Sequence, residues 1–143
     1  MKKPLLDHIG IAVDDLDAAV DIYRKLGFEV DSIEEVPGFG VRVAFLPMGE
    51  GNVELVQPVA ADSAMARFLE KRGPGFHHLC FRVDDIRAEL AGLAEAGVQV
   101  VDAEPREGAH GTLVAFLHPK STGGVLIELA QVDSPKSKIQ NRE

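Results

Sequence analysis

Two histidines and two glutamates recur at matching places in this 143-residue chain. Residues 7–30 read DHIGIAVDDLDAAVDIYRKLGFEV, and residues 77–100 read HHLCFRVDDIRAELAGLAEAGVQV. They align without a gap at an offset of 70, matching His8 with His78, Asp14-Asp15 with Asp84-Asp85 and Gly27 with Gly97. Downstream, Val43-Ala44-Phe45-Leu46 recurs as Val114-Ala115-Phe116-Leu117, and Glu54-Leu55-Val56-Gln57 as Glu128-Leu129-Ala130-Gln131. Each repeat supplies one imidazole and one carboxylate. A lone strand His or Glu is more often a core or solvent-facing residue than a ligand. Here all four keep equivalent positions while the sequence between them has diverged. His8, Glu54, His78 and Glu128 therefore read as one shared metal site. Two nitrogen and two oxygen donors suit a borderline divalent ion such as Co²⁺, Ni²⁺, Mn²⁺, Zn²⁺ or Fe²⁺. Four protein ligands on a six-coordinate ion leave two positions for water or a bidentate substrate.

These residues need strands to position them. In Asp7–Val13, residues Ile9, Ile11 and Val13 share one face and His8, Gly10 and Ala12 the other. In the second copy, Leu79, Phe81 and Val83 match the apolar face, and His78, Cys80 and Arg82 the opposite one. His77 points away from His78 by the same alternation and reads as a structural or supporting residue behind the ligands, the alternative being that it is the ligand in place of His78. His110 and His118 fall in or beside loops and read as surface residues.

A helix follows each strand. Asp14 or Asp15 caps the first, Leu16, Ala19, Val20, Tyr23 and Leu26 keep helical spacing, and Gly27 suits the C′ position. Asp84 or Asp85, Ile86, Leu90, Leu93 and Gly97 repeat the plan. Three short strands per half are expected, near 28–34, 41–47 and 52–57, then near 98–103, 112–118 and 124–131. Ser63 caps a short helix over Ala64–Arg72, with Met65, Phe68 and Leu69 inward and Gly73-Pro74-Gly75 ending it. The expected fold class is α+β: two tandem βαβββ modules pairing into a curved mixed sheet around a metal-containing cleft. A module with one sheet face covered by its helix must cover the other with a partner or enclose a cavity. One domain over 1–143 is expected, with a first module at about 5–58, a linker helix at about 59–75, a second module at about 76–132 and a loose polar tail at 133–143.

Composition limits the alternatives. An apolar fraction of 45% can build a core. No apolar run approaches the ~18 residues of a membrane span, and the N-terminus carries no signal-peptide pattern. The single cysteine, Cys80, excludes an internal disulfide and fits a reducing cytoplasm. A net charge of −8 argues against general nucleic-acid binding, which needs basic surface.

The paired βαβββ plan resembles the vicinal oxygen chelate superfamily, the glyoxalase/bleomycin-resistance fold. Three segments carry the resemblance: Asp7–Val13, Gly75–Ile86 and His118–Leu129. The last of these, HPKSTGGVLIEL, is the most specific and is similar to the methylmalonyl-CoA epimerase family. The resemblance covers residues 5–132. It implies a metal held by His8, Glu54, His78 and Glu128, one divalent ion per chain, Co²⁺ foremost. Some family members have Gln where this chain has Glu54. The added negative charge should favour retention of the ion and slightly weaken its Lewis acidity. It also implies a cytoplasmic homodimer acting on an acyl-CoA, with Leu5-Leu6 and the first-strand edge contributing to the dimer.

The implied chemistry removes a C2 proton between a thioester and a carboxylate, then returns one to the opposite face through an enolate. Such a weak carbon acid needs strong charge stabilisation. One oxyanion-hole donor supplies about 3–4 kcal/mol. A metal that lowers the pKa of water from about 15.7 to about 7 supplies on the order of 12 kcal/mol. Glu128 is the first candidate base and Glu54 the second, by pseudo-symmetry. Lys120, Arg82 and Arg106 are candidate partners for the coenzyme A phosphates, each also readable as ordinary surface charge. Gly123-Gly124 reads as a tight turn. Three alternatives stay open at this stage. A glyoxalase I-type lyase on a glutathione hemithioacetal would use a similar quartet. An extradiol dioxygenase would need only two His and one Glu. A non-catalytic drug-sequestering protein would use an aromatic cleft, for which a chain with no Trp and one Tyr is poorly equipped.

Overall fold

The computed structural model describes residues 4–132; the expected tail at 133–143 lies outside them. The described residues fall into two packing units, residues 7–79 and residues 4–6 with 80–132. The linker helix thus packs with the first module, and the division falls after Leu79.

In the first unit, β1 (Leu5–Ala12) leads to α1 (Leu16–Lys25), then β2 (Ser32–Val36), β3 (Val41–Met48), β4 (Gly51–Pro58), α2 (Ala64–Arg72) and the start of β5 (Gly75–Val83). The strand order is β2-β3-β4-β1-β5. β1 runs parallel to β4, with Gly10 opposite Glu54. β3 runs antiparallel to β4, with Phe45 opposite Glu54. Paired residues point to the same side of a sheet. The register therefore puts His8, Gly10, Phe45 and Glu54 on one face. The other face carries Ile11, Ala44, Leu46, Val53 and Leu55, which pack against Leu16 and Val20 of α1.

The second unit repeats this plan. It comprises the end of β5, α3 (Ile86–Glu95), β6 (Arg106–Glu107), β7 (Leu113–Leu117) and β8 (Ile127–Gln131), in the order β5-β8-β7-β6. Ile86 and Leu90 of α3 pack on Ala115, Leu117 and Leu129, the counterparts of the first unit's core residues. Phe116 stands opposite Glu128, as Phe45 stands opposite Glu54.

The helix signals behave as their chemistry requires. Of the paired aspartates, the second is the cap in both copies. Asp15 Oδ1 accepts from Ala18 N at 3.1 Å and Asp85 Oδ1 from Ala88 N at 3.2 Å. Gly27 and Gly97 follow the helices at φ 101° and 89°, where a side chain would be strained. Ser63 caps α2 by accepting from Ala66 N at 3.1 Å, with Met65 buried and Phe68 and Leu69 half-buried. A further tie explains the repeated glutamines. Gln57 Oε1 accepts from Leu16 N at 2.6 Å, and Gln131 Oε1 from Ile86 N at 2.9 Å. Each bond satisfies one of the four amides a helix start leaves unpaired and fixes the helix to the last strand of its own βαβββ repeat.

Two expected strands differ. The strand expected near 28–34 forms at Ser32–Val36, because Phe28 and Val30 pack under α1 before the ladder begins. The strand expected near 98–103 is reduced to a single bridge, Val100 with Leu117, flanked by bonds from Val101 N to Phe116 O and from His118 N to Gln99 O. Asp102 Oδ2 takes the Phe116 amide at 3.0 Å, so a side chain replaces the ladder there, and pairing resumes at Arg106–Glu107.

Gln57→Ala should leave the Leu16 amide unpaired and cost about 1–2 kcal/mol, a fall in Tm of about 3–8 °C by calorimetry. Lys25→Ala, which removes only the exposed pair with Asp21 at 3.0 Å, should cost about 0.3–0.5 kcal/mol.

Candidate metal centre

His8 and His78 are both buried, at 6% and 5% exposure. Their Nε2 atoms lie 3.0 Å apart, with the rings nearly perpendicular at 89°. Two imidazole lone pairs cannot face each other at this distance without a proton or a cation between them. The spacing is that of an ordinary N–H···N hydrogen bond and brings both nitrogens within reach of one divalent ion.

The far side of His8 is held by carboxylates. Asp7 Oδ2 lies 2.7 Å and Glu54 Oε2 2.9 Å from His8 Nδ1. A neutral imidazole carries a single N–H; the carboxylates beside Nδ1 of His8 place it there, which leaves the Nε2 lone pair facing His78. A carboxylate in this role also raises the basicity of a ligating histidine. Glu54, expected as a ligand, therefore meets His8 at Nδ1 and away from the Nε2 pair. Asp7 and Glu54 share one donor, so Asp7 can keep it if Glu54 turns elsewhere.

His78 is positioned from two sides. Its Nδ1 lies 2.8 Å from His77 Nδ1. Its ring fills the space over Gly10, where an added Cβ would come within 2.1 Å of His78 Cε1 and 2.7 Å of Nε2. Gly10 is the residue that lets the ring approach β1. From the sequence, a supporting role follows for His77 but none for Asp7 or Gly10. A polar residue, Asp7 or His77, precedes each histidine, and the smallest side chain faces the second ring.

The remaining candidates belong to the second unit. Glu128 is buried on β8, at 7% exposure. Arg82 is half-buried on β5, while Arg106 on β6 and Lys120 are exposed. Lys120 sits in a 3₁₀ turn at Pro119–Ser121, whose start is capped by His118 Nδ1 accepting from Lys120 N at 3.2 Å. His118 is thus half-buried and structural, whereas His110 is exposed, in a left-handed conformation at φ 57°.

The family model for the glyoxalase/bleomycin resistance protein/dioxygenase superfamily matches residues 7–116. The ethylmalonyl-CoA/methylmalonyl-CoA epimerase of Cereibacter sphaeroides is 46% identical over 130 residues, covering 89% of this chain and 97% of the relative. The mitochondrial methylmalonyl-CoA epimerase of Homo sapiens is 42% identical over 128 residues, covering 88% and 73%. A solved methylmalonyl-CoA epimerase in complex with methylmalonyl-CoA and NH4+ superposes with a TM-score of 0.88 at 41% identity, covering 93% of this chain and 97% of that one. The shared βαβββ plan, the histidine pair and these similarities agree, and the chain belongs to the glyoxalase/bleomycin resistance protein/dioxygenase superfamily.

Proposed function

We propose that this protein is a methylmalonyl-CoA epimerase, interconverting the 2R and 2S forms by removing and returning the C2 proton through an enolate. The observation that carries the reading is the 46% identity to an epimerase over nearly its whole length. The ethyl homologue is a second substrate to test, because that relative's name includes both acyl groups. The reading includes a cytoplasmic homodimer. The exposed Leu5 and Leu6 are its candidate contacts. β1 is flanked by β4 and β5, so such a contact would use those side chains in place of an open strand edge.

His8, His78, Glu54 and Glu128 are the proposed ligands of one divalent ion. The 3.0 Å histidine pair and the recurrence of both glutamates opposite a phenylalanine support the set. Co²⁺ is the first ion to test, with Ni²⁺, Mn²⁺ and Zn²⁺ next. When bound, such an ion supplies electrostatic stabilisation of the charge that develops on the thioester oxygen. The chain's own work is to place proton carriers. Epimerisation needs one on each side of C2, and each repeat carries a glutamate that is buried or nearly so, Glu128 and Glu54. Ligation by Glu54 requires its carboxylate to leave His8 Nδ1, which Asp7 then holds alone. The coenzyme A phosphates are assigned to Lys120, Arg82 and Arg106.

Proton NMR of methylmalonyl-CoA in D₂O should show loss of the C2 proton signal with Co²⁺-loaded protein and none after chelation. Persistence of the signal with loaded protein would refute the epimerase reading and make the glutathione hemithioacetal the next substrate to test. Glu128→Ala should abolish that exchange; a near-normal rate would remove Glu128 from both roles. Gly10→Ala should displace the His78 ring and weaken Co²⁺ binding by about 10–100-fold, measured against a chromophoric chelator.

A further inference from the structure

We propose that His77 is a positioning residue: it accepts the Nδ1 proton of His78 and so keeps His78 Nε2 bare for a cation. The inference rests on the proposed metal centre and concerns a residue outside its ligand set.

The argument is one of proton accounting. Neighbouring residues on a strand point to opposite faces, so His77 and His78 should not meet. They do meet, because Nδ1 is bonded to the ring carbon nearest the backbone, and the two Nδ1 atoms approach to 2.8 Å beside β5. A contact of this length requires a proton on one of the two nitrogens. A neutral imidazole has a single N–H. If His78 is to present Nε2 to a cation, its proton lies on Nδ1 and His77 Nδ1 is the acceptor. His77 then carries its own proton on Nε2.

Two further observations support the assignment. The His77 ring is held edge-on against Phe68 of α2, with centroids 4.6 Å apart at 86°, and Arg72 lies 6.0 Å from the Phe68 centroid. The acceptor is thus anchored by a helix that contributes no ligand. Position 77 is also the repeat counterpart of position 7, and Asp7 holds His8 Nδ1 at 2.7 Å. Both copies place an acceptor immediately before the ligating histidine. One copy uses a carboxylate and the other an imidazole.

The test compares His77→Phe, which keeps a ring against Phe68 but accepts nothing, with His77→Asp, which restores the acceptor found in the first copy. Co²⁺ affinity is measured by competition with a chromophoric chelator, together with the visible Co²⁺ absorption spectrum and the unfolding temperature of the metal-free protein. We expect His77→Phe to bind Co²⁺ about 10–100-fold more weakly with an altered spectrum, and His77→Asp to recover affinity to near the wild-type value. Wild-type affinity and spectrum in His77→Phe would overturn the assignment while leaving the metal centre intact. A wild-type protein that binds no Co²⁺ would overturn the metal centre itself. Should either variant fail to fold, long-range ¹H–¹⁵N spectra of the Zn²⁺-loaded wild type read the tautomers directly. Protons on His78 Nδ1 and His77 Nε2 support the proposal, and a proton on His77 Nδ1 overturns it.

Discussion

Two buried imidazole nitrogens 3.0 Å apart are the constraint around which the first unit is arranged. Burying such groups is costly unless every polar atom finds a partner. The structure meets the requirement from outside inward. Asp7 and Glu54 face Nδ1 of His8, His77 faces Nδ1 of His78, and the two Nε2 atoms converge. A proton satisfies that last contact in the absence of a cation. A divalent ion bound by both nitrogens would take that proton's place. With one N–H on each ring, passed from His77 to His78 to His8 to the carboxylates, every contact in this polar chain is made.

The sheet supplies the rigidity this needs. β1 carries His8 and Gly10, and the β1–β4 register places Gly10 beside Glu54. The absence of a side chain at Gly10 lets the His78 ring lie against β1. On the opposite face, Leu16, Val20, Ala44, Leu46 and Leu55 form an apolar core with α1. Gln57 joins the two faces: its strand carries Glu54 toward the histidines, and its own carbonyl fixes the start of α1 from the other side. A sheet held by its core on one face leaves the other free to carry charged and polar groups without losing position.

The internal repeat explains which features are duplicated and which are not. Helix caps, the glutamine ties, the core positions and the phenylalanine opposite each glutamate are kept in both copies. These are the elements that any βαβββ module needs to fold. The copies differ at Asp7 against His77, Gly10 against Cys80 and Ala12 against Arg82 around His8 and His78, while Ile9 against Leu79 and Ile11 against Phe81 exchange one apolar residue for another on the opposite face.

Much of this was legible in the sequence because the relevant signals are local. Strand alternation has a period of two, so it told which residues share His8's face without knowledge of the partner strand. The helix caps at Asp15, Ser63 and Asp85 follow from short-range bonding, and the repeat marked His8, Glu54, His78 and Glu128 as a set. The missing strand near residues 98–103 was not legible, because Asp102 captures the Phe116 amide from 14 residues away in sequence. Nor were the Nε2 spacing, the seat of Glu54 on His8 Nδ1, or the contact between His77 and His78. Those depend on the β1–β4 register and on ring rotations chosen by packing against Gly10 and Phe68. The sequence by itself determined which side chains share a strand face. Only the tertiary structure decided which of their atoms meet, because a hydrogen bond depends on distances and ring orientations between strands that no local periodicity encodes.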